Sequence, residues 1–262
     1  MLSLLRCELF KLTHRMMTRV LLLLVVGGPL AAYLLLGALP EDGASDLTNL
    51  RIGQVTDDGM FIVYQVGMIL AVTLAASTIA TEYGWGTIRT LLPRTAGRSA
   101  FLTAKLTSLG LFVVVTVLLG FAASLLGSAL VTELRDLDSS LGPNFFGHVL
   151  ESLAKTMLAI LPYAALAFVV ALWTRSSAAG IAIPIIAFYA EVLLTPLFSS
   201  TGALDWLSNA GIYNNITVLL DSHTLVPKGD LLAPWQAAGV LAAYVTTFVS
   251  LAYGRFLTRD VD

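Results

Sequence analysis

Glu82, Arg89, Arg94, Arg98 and Lys105 share one stretch, EYGWGTIRTLLPRTAGRSAFLTAK, between segments too apolar to face water. One carboxylate and four cations, with Trp85, Ile88 and Leu91 or Leu92 at helical spacing, could bind a protein partner or anionic headgroups. Thr81 is placed to cap a helix with Glu82 in its first turn, where the positive helix end favours a carboxylate. Pro93 stops that helix by removing a donor and restricting its predecessor. The residues leave two readings open. Either the basic side chains only hold topology and touch anionic lipid, or the loop is a structured contact surface.

A second candidate lies inside an apolar stretch. Glu191 follows Arg175 by sixteen residues, about 24 Å along a helix at ~1.5 Å per residue. An ionisable side chain at that depth calls for a partner. Lys155, descending from the opposite side, suggests a Glu191–Lys155 pair or a polar lining near an outer gate. A protonated or snorkelling glutamate near the interface is the alternative.

Other chemistry is missing from the sequence. It holds no G-x-x-x-x-G-K-[ST] phosphate loop, no H-E-x-x-H and no G-x-S-x-G. His14, His148 and His223 are far apart, and the lone Cys7 excludes an intrachain disulfide or a cysteine-rich zinc site. No metal site and no bound cofactor are expected, and the chain is not expected to be catalytic alone. Nucleic-acid binding is not expected either, because the basic residues face a membrane surface without interleaved aromatics.

The elements that position these residues follow from composition. Hydrophobic residues make up 57% of the 262 and charged ones only 12%, about half the charge of a soluble domain. Six apolar stretches approach or exceed the ~20 residues a spanning helix needs: about 20–39, 59–80, 99–131, 149–173, 178–198 and 235–257. The expected fold is all-α, a single polytopic domain over 1–262, since unpaired backbone is too costly in lipid for anything but helices or closed barrels. Residues 1–19 place Leu2, Leu5, Leu9, Leu12 and Met16 on one stripe, either an interfacial amphipathic helix or an extension of the first span. Residues 199–234 are expected to dip into the outer leaflet as short re-entrant helices.

Loop charges set an expected orientation. With the N-terminus inside, 11 of the 15 Lys and Arg are cytoplasmic, and of the acidic residues only Glu8, Glu82, Asp260 and Asp262 join them. Both termini are then cytoplasmic, in a multi-pass plasma-membrane protein with a retained first span.

The pattern E-x-x-x-G-T-I-R-x-L-L-x-x-x-x-x-R-x-x-x-x-x-A-K, from Glu82 through Gly86, Thr87, Ile88, Arg89, Leu91, Leu92, Arg98 and Ala104 to Lys105, resembles the first cytoplasmic loop of the ABC type-2 transporter permeases. The resemblance extends to the short amphipathic N-terminus, the six spans, the long outer loop before the last span and the brief basic tail. It implies the membrane subunit of a bacterial ATP-binding cassette exporter. Such a subunit forms the path for a hydrophobic or amphipathic substrate: an antibiotic, an antimicrobial peptide or a lipid. By that resemblance 81–98 is a coupling loop with Glu82, Trp85, Thr87, Ile88 and Arg89 as its coupling residues, Glu82 and Arg89 holding the helix or pairing with the ATPase and Trp85 and Ile88 anchoring it apolarly. The implied partners are a cytoplasmic ATPase dimer, which holds the ATP and magnesium, a second permease chain, the same or homologous, and membrane lipid. A non-transporting membrane scaffold or sensor subunit, or an intramembrane enzyme, are the competing classes.

Overall fold

A computed structural model describes residues 2–38, 55–86, 97–137, 144–200, 209–220 and 232–258. Among them all regular structure is helical: α1 (Leu2–His14), α2 (Met16–Ala38), α3 (Met60–Gly84), α4 (Arg98–Leu134), α5 (Phe145–Thr174), α6 (Ser177–Ser200), α7 (Ile212–Leu219) and α8 (Pro234–Thr258), with a π-helical turn at Val55–Gly59 leading into α3. Helices α2, α3, α4, α5, α6 and α8 are each long and apolar enough to cross a membrane. The chain is a multi-pass membrane protein. The six expected spans match these helices to within about four residues at each end.

Helices α3 and α5 form the centre of the bundle. In both, 67% of the most apolar window is buried, against 22% for α2, 22% for α6 and 17% for α8. Their packing relies on small side chains where backbones approach. At Gly180 a Cβ would stand 2.7 Å from the Ala171 Cβ and 2.8 Å from the Ala76 Cβ, so α6, α5 and α3 meet there with no room for a methyl group. At Gly127 a Cβ would stand 2.9 Å from the Tyr33 Cβ, which brings α4 onto α2. Small residues in membrane helices serve this close approach, and at these positions they serve it within one chain.

The end of α3 differs from the sequence expectation. Thr81 does not cap a new helix, and Glu82 is not in a first turn. α3 continues through both to Gly84, and the Thr81 hydroxyl donates back to the Ser77 carbonyl at 2.7 Å. The stop comes at Gly86, whose φ of +65° is a left-handed conformation suited to glycine. The Gly86 amide donates to the Tyr83 carbonyl at 3.1 Å and the Trp85 amide to Thr81 at 3.0 Å. Once Glu82 is neutralised by its partners, extending an existing helix is cheaper than ending it and nucleating another.

Candidate functional site

Three helices converge on Lys105. α1 brings Glu8 and Lys11, the last turns of α3 bring Thr78 and Glu82, and Lys105 lies near the start of α4. Lys105 Nζ donates to Glu82 Oε1 at 2.7 Å, to Glu8 Oε2 at 3.1 Å and to the Thr78 carbonyl at 3.2 Å. These three acceptors match the three donors of an ammonium. The same nitrogen sits 5.1 Å from the centre of the Phe101 ring, within cation–π range. Lys11 Nζ donates to Glu8 Oε1 at 2.8 Å and to Glu82 Oε1 at 3.2 Å. The four side chains form a neutral set in which Glu8 gives one oxygen to each lysine and Glu82 receives both lysines on one oxygen.

Sequence periodicity makes the arrangement possible. Thr78 and Glu82 are four apart on α3 and so share a face, which lets one ammonium reach a carbonyl and a carboxylate together. Glu8 and Lys11 are three apart on α1. Lys105, Glu8 and Glu82 are buried, while the Lys11 side chain keeps 37% of its exposure. Arg15 adds an outer tie, donating to the Thr81 hydroxyl at 2.8 Å.

The charges on α1 are stabilised by their partners. Burial pushes the Glu8 carboxyl up, but the Lys105 charge and the Lys11 hydrogen bond and charge outweigh it. The net result lies below the ordinary carboxylate value. Burial likewise pushes the Lys11 ammonium down, while the hydrogen bond to Glu8 and the charges of Glu82 and Glu8 carry it above the ordinary lysine value. Both groups remain ionised at neutral pH.

This ion set clasps the two helices that bracket residues 87–96. Thr87, Ile88 and Arg89 lie outside the described residues. Trp85 is in place just before them, 73% exposed. Glu82 points into the bundle and holds α3 to α4 and α1.

Glu191 sits in a second constellation. The Tyr163 hydroxyl donates to its Oε2 at 3.3 Å, and the Tyr213 backbone amide at 2.5 Å. Tyr213 is in the first turn of α7, so the carboxylate of α6 caps another helix at its positive end. Around it Phe188 meets the Tyr163 ring edge-on at 5.6 Å and the Tyr213 ring at 5.5 Å. The expected Glu191–Lys155 pair is not formed. Lys155 donates to Glu151, one turn earlier on α5, at 2.7 Å, and backbone donors on α7 take the place the lysine was expected to fill. Among the described residues no group of three or more His, Cys, Asp and Glu could hold a metal ion.

A family of proteins of unknown function, DUF2705, matches residues 30–261. The chain belongs to the DUF2705 family. The matched region contains Glu82, Lys105, Lys155 and Glu191 and begins inside α2, after Glu8 and Lys11. The chain is also similar to a Bacillus subtilis (strain 168) protein named Uncharacterized protein YhcI. The two are 26% identical over a 219-residue alignment that covers 79% of this chain and 68% of the relative.

Sequence reasoning missed the part played by Lys105, Glu8 and Lys11. For Lys105 a signal existed, because an ionisable residue at the start of a long apolar helix calls for a partner. For Glu8 the signal was its position between Leu5 and Leu12, on the face of α1 that packs inward.

Proposed function

We propose that this chain is the membrane-spanning subunit of an ATP-driven exporter, powered through a separate cytoplasmic ATPase that engages residues 85–97. The observation that carries the reading is the clasp formed by Glu8, Lys11, Glu82 and Lys105. A permease without a phosphate loop must receive motion through a contact, and a contact transmits motion only where its base is rigid. The clasp fixes both ends of the loop segment to α1, and the exposed Trp85 stands at its edge as an apolar anchor. In this reading the α1 end of the bundle is cytoplasmic, which the bias of Lys and Arg supports. Both termini then face the cytoplasm, a second permease chain completes the path, and the substrate is hydrophobic or amphipathic.

Purification of the full chain from its native membrane tests this. A stoichiometric ATPase with a phosphate loop is expected to accompany it, and Trp85→Ala with Arg89→Ala is expected to uncouple ATP hydrolysis from substrate movement while the bundle keeps its melting midpoint. Absence of any such ATPase would leave a scaffold or sensor subunit as the better reading.

A further inference from the structure

Among the described residues no basic side chain pairs with Glu191, and Lys155 is engaged with Glu151. Among the described residues the Glu191 charge is met by the N-terminus of α7, worth roughly half an elementary charge, and by the Tyr163 hydroxyl. Donors already reach the carboxylate from the Tyr163 hydroxyl and the Tyr213 amide, both on Oε2, and from the Ile212 amide. Tyr64 on α3 is fully buried and close enough to Glu191 and Tyr213 to interact with them electrostatically. Its hydroxyl has no hydrogen-bond partner among the described residues, an arrangement that is destabilising when left unmet. Tyr163, Phe188 and Tyr213 wall the site with rings packed edge to face. Residual negative charge, an unpartnered hydroxyl and several aromatic rings are what a desolvated organic cation requires.

Beside the site runs a cleft of about 320 Å³ between α3 and α6, lined by Gln65, Val66, Ile69, Tyr189 and Val192 and sharing Phe188 and Tyr213 with the constellation. That volume is at the lower end for small-molecule pockets, and most of its lining is apolar. We propose that Glu191, Tyr64 and the Tyr163–Phe188–Tyr213 rings bind the ammonium of a single-chain alkylammonium amphiphile, with its tail in this cleft. Among the described residues no group of three or more His, Cys, Asp or Glu forms here to hold a metal, whereas rings and one carboxylate suit an alkylated nitrogen. A phospholipid headgroup carries a phosphate next to its amine, and that phosphate would oppose Glu191. The inference deepens the exporter reading by naming a substrate class. Binding needs this chain alone, so it is tested without an ATPase and stands or falls separately.

The test is calorimetric titration of the purified full chain, held in a neutral maltoside detergent, with dodecyltrimethylammonium. Saturable binding at one site per chain is expected, at least about tenfold tighter than for dodecyl sulfate or a neutral dodecyl analogue, as a charge-assisted contact implies. Lysophosphatidylcholine, whose quaternary amine lies beside a phosphate, is expected not to compete. Glu191→Gln is expected to weaken binding about tenfold, and Tyr64→Phe to weaken it several-fold with the ring retained. Equal affinity for cationic and neutral chains in the unaltered protein would overturn the proposal, and that comparison needs no variant to fold. Effective competition by lysophosphatidylcholine, or unchanged affinity in a folded Glu191→Gln protein, would overturn it too.

Discussion

Lys105 Nζ lies 2.7 Å from Glu82 Oε1, and the two residues flank the polar segment that separates α3 from α4. Both belong to the sequence pattern that runs from Glu82 to Lys105, and they meet each other inside the bundle. The pair ties α3 to α4 at either end of that segment, and α1 joins it through Glu8 and Lys11.

Removing one member should therefore be worse than removing two. Lys105→Met leaves Glu8 and Glu82 buried with only the half-exposed Lys11 to neutralise them, and breaking a buried pair in this way costs about 3–5 kcal/mol. Lys105→Met combined with Glu82→Gln removes one charge of each sign and is expected to recover part of that loss. Thermal unfolding of the single and double variants in detergent measures the coupling, and strictly additive losses would count against a shared cluster.

The docking of α1 should depend on pH at both extremes. Glu8 has a folded value below its unfolded one, so its contribution is complete above the ordinary carboxylate range, about pH 4.3, and is lost as pH falls through the lower folded value. Lys11 is shifted upward, so its contribution is complete below about pH 10.4 and is lost as pH rises through the higher folded value. Stability should be flat across the neutral range. Glu8→Gln is expected to flatten the acid limb, read as the melting midpoint against pH, while leaving an alkaline limb in place.

The spans were legible because a helix long enough to cross a membrane must be continuously apolar, and that is a local property. The clasp was not. Glu8 and Lys105 are 97 residues apart and Lys11 and Glu82 are 71 apart, and nothing in the spacing of a single sequence pairs them. The end of α3 was misread for a related reason. Glu82 looks like a first-turn carboxylate only while its lysine partners are unseen, and Thr81 serves equally well as a cap or as a mid-helix residue bonded back to the preceding turn. Glu191 was legible as an isolated charge needing a partner, but its partner includes a backbone amide of α7, which has no charge signature to read.

The glycines give a contrast that requires no functional assay. Gly180→Ala drives a methyl group to within 2.7 Å of the Ala171 Cβ, and Gly120→Ala to within 2.7 Å of a Val63 methyl. Overpacking of this kind costs about 1–3 kcal/mol. At Gly110 and Gly239 an added Cβ meets nothing within 4 Å. Alanine there is expected to raise stability by about 0.5–1 kcal/mol through helix propensity. Melting midpoints that moved the same way in both pairs would contradict the helix contacts described.

Lys155 and Glu191 are both single charges in spanning helices, yet their substitution should have unequal effects. Lys155 is partly exposed and pairs with the exposed Glu151 at i,i+4 spacing, a class of ion pair that adds little. Lys155→Met is expected to leave the melting midpoint within about 1 °C of the parent. Glu191→Ala removes the acceptor that holds the Tyr163 hydroxyl and the first turn of α7, and a lost cap costs about 0.5–2 kcal/mol. Because the contact lies at one end of a short helix, the loss should be concentrated there. Hydrogen exchange is expected to accelerate across Ile212–Leu219 in Glu191→Ala while the amides of α3 keep their protection. Uniform acceleration through the bundle, or none in α7, would show that Glu191 does not hold this helix in place.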